Sequence, residues 1–484
     1  KPAPTGFCIS LGVWWTYEDL VGAGLPAKRP VQATQMSLTG DKSTFLGDIP
    51  FQARSLEFAD DWQGSSWPMS TSNLPSTRWL DAPAHTAWRM AEGHRLLPFA
   101  TPWKLPDGFG SLDAAGLLAP GARAETLITA RMTHCFALAH LQGVPGYLAY
   151  AEHGVAALRG ALQDATYGGW FAHPGGHDDS GKAAYLHAFV ALAASSAVMA
   201  GAGGAPALLA DAVQVLEAHF WSEEEGALRE AFSRAWQLPE QYRGANSNMH
   251  AVEAFLALAD VTGHTLWLQR PLRIAERIIH THAAANGYRV IEHFDALWQP
   301  LPHYNQAHPA DHFRPYGSTP GHALEWARLL LHLEASLERA GLHAPQWLPD
   351  CARALFDTAC QQAWNVDGAP GFVYTLDWDD RPVVRARLHW VHAEACAAAA
   401  ALLQRTGEAH YEQWYRRCWD FIANHFIDHG AGSWHHELDA HNQPAATIWP
   451  GKPDLYHAYQ ALLLPGLPLA PSLASSLAGN VTKR

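Results

Sequence analysis

The chain has 484 residues, 48% hydrophobic and 16% charged, enough apolar material for one large domain or two ordinary ones and too much for global disorder. Its 33 Lys and Arg stand against 46 Asp and Glu, a formal charge of −13 without a basic run. That balance excludes nucleic acid and anionic membrane as partners and favours a small neutral ligand. The longest apolar runs, 186–199 and 393–403, fall short of the roughly 20 residues that span a bilayer.

Residues 1–75 are rich in Pro, Gly, Ser and Thr, lack helical periodicity and begin with Lys. They are expected to be an extension, disordered or foreign to the native chain, ahead of a domain over 76–484; Met69 looks like a natural start. Six scattered Cys (8, 135, 351, 360, 396, 418) without paired spacing read as reduced thiols. With no recognisable secretion signal, a cytoplasmic location is expected.

Twelve apolar-periodic segments of helical length follow, near 82–96, 124–142, 146–164, 181–201, 205–221, 247–262, 265–282, 320–340, 346–364, 388–406, 408–428 and 454–463. Links after the even-numbered segments are short, as tight antiparallel turns require. Links after the odd-numbered ones are long, and 288–301, 371–387 and 433–447 read as β-hairpins. This alternation gathers the long loops on one face and delivers the first turn of every even helix to it. The closed solution is an all-α (α/α)6 barrel with long loops and short hairpins on one face, the even helices lining a cleft.

Polar residues that interrupt apolar pattern at the starts of the even helices are the candidates for chemistry. They are Arg131 and His134; Tyr185 and His187; Asn246, Asn248, His250 and Glu253; His322 and Glu325; Trp390, His392 and Glu394; and Asp454, Tyr456 and His457. His322 with Glu325, and His250 with Glu253, stand three residues apart on one helical face, so each carboxylate is expected to hold an imidazole tautomer, as a general base needs. Arg131 in an apolar helix suits either several hydroxyl oxygens or a structural ion pair. Trp170, Trp326 and Trp390 are candidate sugar-stacking faces or core residues. The histidines at 293, 303, 308 and 312 and the segment 434–441 have no spacing that fixes metal ligands, so no metal or other cofactor is expected. Glu292, Asp295, Asp377 and Glu437 in the long loops leave a carboxylate-pair glycosidase open, and a non-catalytic sugar- or partner-binding protein is a further alternative. Neither GxSxG, a P-loop nor a dinucleotide fingerprint is present, which sets hydride and phosphoryl transfer aside.

Several stretches together carry a resemblance: 129–134 (TARMTH), 167–171 (YGGWF), 242–256 (YRGANSNMHAVEAFL), 292–295 (EHFD), 317–326 (GSTPGHALEW) and 451–461 (GKPDLYHAYQA). In this order the chain resembles the N-acylglucosamine 2-epimerase superfamily from about 76 to 472, and within it the branch of D-mannose and sulfoquinovose isomerases. The resemblance implies cofactor-free aldose–ketose isomerisation or C2 epimerisation of a monosaccharide. His322 and His457 are the implied acid/base pair, and Arg131, Asn246, His250 and Glu325 fall on positions implied to bind the sugar or orient the catalytic imidazoles; Trp390, read as a stacking face, is placed with them in the expected substrate-binding shell. The sulfonated-sugar branch is expected to carry Arg where His312 stands and Gln where Pro453 stands. The departures favour a neutral hexose, D-mannose to D-fructose, with D-lyxose as a further substrate and nearby Arg314 keeping sulfoquinovose as the runner-up. Oligomeric state is left open.

Overall fold

The computed structural model describes residues 77–176 and 180–481; the extension expected over 1–75 lies outside the described residues. Twelve helices match the twelve segments: α1 (Pro83–Phe99), α2 (Thr126–Leu141), α3 (Leu148–Leu158), α4 (Ala184–Met199), α5 (Ala205–Val215), α6 (Ala245–Thr262), α7 (Leu266–Ala275), α8 (Pro320–Arg339), α9 (Trp347–Ala363), α10 (His389–Thr406), α11 (Ala409–Phe421) and α12 (Tyr456–Leu463). A further helix that periodicity did not reveal, α13 (Leu473–Val481), ends the described chain.

The even helices pack in the closed order α2–α4–α6–α8–α10–α12–α2, and each carries its odd partner on the outside. Composition explains the layering. Helices α4 and α10 are apolar and Ala-rich around almost their whole circumference and are buried along most of their length, which suits an inner ring pressed on all sides. The outer α7, α9 and α11 have one buried stripe and an exposed polar face. Three outer helices, α5, α7 and α11, continue into π-helical turns at 216–220, 276–283 and 422–426.

At one end the helices join by tight turns; Gly263 and Gly407 sit in left-handed conformation (φ 72° and 74°) just past α6 and α10, a backbone state in which a Cβ is costly. Helix α13 packs across this end against α2, α4 and α6.

At the other end the long loops are stitched to one another. Strand β1 (Lys182–Ala183), leading into α4, pairs with β2 (Ala231–Phe232); β3 (Tyr242–Gly244), leading into α6, pairs with β4 (His293–Asp295); β5 (Arg387–Leu388), leading into α10, pairs with β6 (Glu437–Leu438). Single contacts complete the circuit: Thr126 N–H donates to Ala172 C=O, Ser318 pairs with Leu376, and Lys452 N–H donates to Leu112 C=O. Every chain segment leading into an inner helix is thereby bonded to the loop that precedes the next inner helix. The hairpins expected at 288–301, 371–387 and 433–447 all form turns or short ladders here. No helix among the described residues is long and apolar enough to cross a membrane.

Candidate active site

The first turns of the inner helices enclose a cleft of about 550 Å³ measured to its open mouth. The six residues implied by the resemblance, Arg131, Asn246, His250, His322, Glu325 and His457, line it together with Trp390, and with Tyr185 every inner helix contributes. The Trp390 ring lies 5.2 Å from that of His322 and 5.7 Å from that of His457, so two imidazoles from different helices flank one indole over one small space. Gly321 makes this possible. A Cβ there would stand 2.5 Å from the Trp390 ring.

Each of these two imidazoles has a carboxylate behind it, though not the one that helical spacing suggested. His322 Nδ1 lies 3.0 Å from Oε1 of Glu292, from the loop ahead of α8, rather than against Glu325. The Nδ1 of His457 is hydrogen-bonded to Glu394 Oε1 at 2.9 Å, leaving Nε2 as the nitrogen free to act. Glu325 instead sits 3.7 Å from His250 Nδ1, and Glu253 3.9 Å from the same nitrogen. Burial pushes the His457 imidazole well below its usual range, with the Arg131 charge acting in the same direction. His250 is pushed down to about 4, again chiefly by burial. Both rings are therefore neutral near pH 7.

Arg131 is both a structural ion pair and a cleft residue. Its Nη1 donates to Asp454 Oδ2 at 2.8 Å and its Nη2 to the Tyr185 hydroxyl at 2.8 Å, while the guanidinium lies over Phe189, 4.4 Å from the ring centre. Burial opposes its charge, but Tyr185 and Asp454 outweigh that and keep it a cation. Asp454, buried with it, is held in the carboxylate form by the charge and hydrogen bond of Arg131 against the same desolvation.

Other expected candidates serve the loops instead. His187 donates from Nδ1 to Ala183 C=O and accepts the Trp170 N–H at Nε2; His392 repeats the arrangement with Leu388 C=O and Phe372 N–H. Asn248 accepts the Leu228 N–H and donates to Gly244 C=O, and Thr129 accepts the Phe109 N–H. His134 bonds to Ser196 and faces a second cavity below the cleft. Trp170 and Trp326 are fully buried and do not line the cleft; the Trp170 indole donates to Leu158 C=O. They are core, not sugar platforms.

The cleft has further lining residues that the reading of helix starts did not single out. His389, the first residue of α10, stacks on His436 at 3.8 Å between ring centres, and both face the cleft. Tyr374, His312, Phe313 and Trp449 come from the long loops, with His312 stacked on Trp449 at 5.1 Å.

Among the described residues two clusters have metal-donor geometry, His250/Glu253/Glu325 and Glu325/Glu394/His457. Between their three glutamates lies the Arg328 guanidinium, within 3.7 Å of each. A cation already fills the centre of the donor set, so the donors fit protons and a guanidinium better than a divalent ion. Of the loop carboxylates weighed for a glycosidase, Glu292 stands behind His322, and the other three are committed elsewhere. Asp295 and Asp377 accept N–H groups of their own turns, and Glu437 accepts the Ile448 and Trp449 N–H groups.

The sequence profile described as N-acylglucosamine 2-epimerase (GlcNAc 2-epimerase) matches residues 108–461. A D-mannose isomerase of Pseudomonas cannabina pv. alisalensis is 63% identical over 412 residues, covering 85% of this chain and 100% of that protein. One from Thermobifida fusca is 53% identical over 407 residues, covering 83% and 99%. Among solved structures, a D-mannose isomerase superposes with a TM-score of 0.73 at 30% identity over 79% of this chain and 99% of its own. A cellobiose 2-epimerase from Spirochaeta thermophila shares the fold, with a TM-score of 0.68, 22% identity and coverage of 82% and 97%. From the six-fold ring of helices, the flanked indole and these likenesses together, the chain belongs to the N-acylglucosamine 2-epimerase family.

Proposed function

We propose that this protein is an aldose–ketose isomerase that interconverts D-mannose and D-fructose, with His322 and His457 as the acid/base pair. The observation that carries the reading is the convergence of two imidazoles on one cleft, each with a carboxylate at its back and a buried guanidinium nearby. The names of the relatives at 63% and 53% identity support the same substrate.

The chemistry follows from the groups present. The proton on C2 of an open-chain aldose is too weakly acidic for water at pH 7, whereas a positioned neutral imidazole is a competent base. As it takes that proton, the C1 carbonyl becomes an enediolate whose oxygen charge the Arg131 guanidinium can stabilise. Return of the proton to C1, with transfer of the C2 hydroxyl proton to the C1 oxygen, gives the ketose. Return to C2 from the opposite imidazole gives the epimer instead, so the same site accounts for both reactions. His250, Asn246, Glu325 and Trp390 bind and orient the sugar.

The neutral hexose is preferred over a sulfonated one because the cleft offers His312 and Pro453 but not Arg314. Arg314 makes a two-pronged ion pair with Glu240 at 2.7 and 2.9 Å and lies over the Tyr242 ring, so its charge is already spent.

Incubating the protein with D-mannose in deuterated water containing EDTA tests the reading. Fructose carrying deuterium at C1, or partial retention of the C2 hydrogen there, is the expected NMR result. Absence of turnover on mannose, fructose and lyxose would overturn it.

A further inference from the structure

Beneath the cleft, three inner helices send a glutamate each to one arginine. Arg328 Nε donates to Glu394 Oε2 at 2.9 Å; Nη1 lies 3.7 Å from Glu253 and Nη2 3.5 Å from Glu325. Arg328 does not line the cleft. It lines the second cavity, between the inner ring and the segment leading into α13, together with His134 and Gln460.

All four groups are at least nine-tenths buried, and three carboxylates on one guanidinium leave an excess of negative charge in a place that cannot solvate it. Retaining one proton in the trio removes that excess. The three members are not equivalent. Glu394 has Arg328 on one oxygen and His457 on the other. Glu253 takes the Tyr456 hydroxyl and stands by His250 and Arg328. Glu325 has no hydrogen-bond partner on either oxygen, and it alone of the three faces the cleft.

We infer that Arg328 is a positioning residue for the proton transfer: by holding Glu394 and Glu253 as carboxylates it leaves the shared proton on Glu325 at the cleft and keeps the Nδ1–H of His457 turned inward, so that Nε2 meets the sugar. This deepens the isomerase reading above and rests on it for its kinetic readout. The directions of titration rank the three: burial and the neighbouring Glu394 push Glu325 well above the usual carboxylate range, burial also raises Glu394 but Arg328 opposes it there by charge and hydrogen bond, and His250 and Arg328 overcome burial to hold Glu253 below that range. Besides the glutamates, Tyr456 of α12 and His332 of α8 feel the Arg328 charge. His457 in turn faces Arg131, Asp454, His389, His250 and His436.

The test compares wild type, Arg328→Gln and Arg328→Lys by kcat and kcat/KM for D-mannose from about pH 5 to pH 9. Loss of the charge in Arg328→Gln lets the cluster and His457 take up protons more readily. The acid limb of kcat/KM is expected to move up by about one pH unit, with kcat at least about tenfold lower and KM nearly unchanged. Arg328→Lys, which keeps the charge, is expected to restore the limb. An acid limb that stays in place in Arg328→Gln, or a loss confined to KM, overturns the inference. Should Arg328→Gln not fold, the amide variants decide. Glu325→Gln resembles the protonated acid and should retain at least about tenfold more activity than Glu394→Gln; the reverse order overturns the inference. ¹⁵N NMR of histidine-labelled wild type, with His457→Gln used for assignment, reads the tautomer without turnover. An Nδ1–H at His457 is expected, and an Nε2–H refutes the arrangement even if the enzyme isomerises mannose. Failure to turn over any sugar with the Nδ1–H tautomer present would sink the isomerase reading alone.

Discussion

The two sides of the cleft support their imidazoles by different means. On the α8 side His322 leans on Glu292, a carboxylate delivered by a loop. Across the cleft His457 leans on Glu394, a carboxylate of a neighbouring inner helix that is itself tied to Arg328. One support can shift with its loop, whereas the other is part of the ring and moves only if three helices move. Two identical side chains are thus tuned separately, which suits a reaction in which one must take a proton and another return it.

Substitution of either imidazole should be the most damaging change: His322→Asn and His457→Asn are each expected to lower kcat for mannose by at least about 10²-fold, with little change in melting temperature. If one variant retained near-normal rate, a single imidazole would suffice and the comparison would collapse. The supports come next. Glu394→Gln should cost about 10²-fold in kcat and also stability, by about 3 kcal/mol, because it removes the carboxylate that is hydrogen-bonded to both buried Arg328 and His457. Glu292→Gln should cost about tenfold in kcat with a smaller loss of stability. Equal thermal shifts in the two would show that loop and ring supports are equally rigid. Gly321→Ala, which pushes a methyl into Trp390, is expected to raise KM several-fold with a smaller change in kcat, as measured by steady-state kinetics.

Acid stability gives the most distributed effect, read on the fold rather than on turnover. Burial lowers His134, His250 and His389 to about 4. Their folded values lie below the unfolded value near 6.5, so the unfolded chain takes up protons first as pH falls. Stability should be full above about pH 6.5 and decline steadily toward pH 4, visible as a falling melting temperature. A flat profile over that window would mean that these rings already titrate freely in the folded protein.

The barrel was legible because short and long links alternate, a property of connections that survives errors of several residues in helix ends. Six of the cleft residues were legible through the family resemblance, and Trp390 as a candidate stacking face. Position at a helix start was not enough by itself, and the structure shows why. Arg131 and Thr129, Tyr185 and His187, Asn246 and Asn248, Trp390 and His392 are pairs two residues apart. Two residues advance a helix by about 200°, so one member of each pair enters the cleft while the other fastens a loop. Both are polar and both interrupt an apolar pattern. Glu292 was visible as one loop carboxylate among several and as the start of the stretch 292–295 (EHFD) that belongs to the resemblance, but its pairing was hidden, since nothing local connects it with His322, thirty residues on. Helix α13 escaped because Leu473–Val481 is short and rich in Ser, Ala and Gly, and its place is determined by the end it covers.

The chain of backbone bonds that joins each long loop to its successor makes the rim behave as a hoop. A change in one loop is felt by the loops on either side before it is felt by the helix beneath. Insertions that alter what the mouth admits are therefore best tolerated at the hairpin tips, beyond the stitched residues. A substitution that breaks one stitch, such as proline at Ala184 or Ala245, should loosen distant parts of the rim together and leave the helical drum below intact.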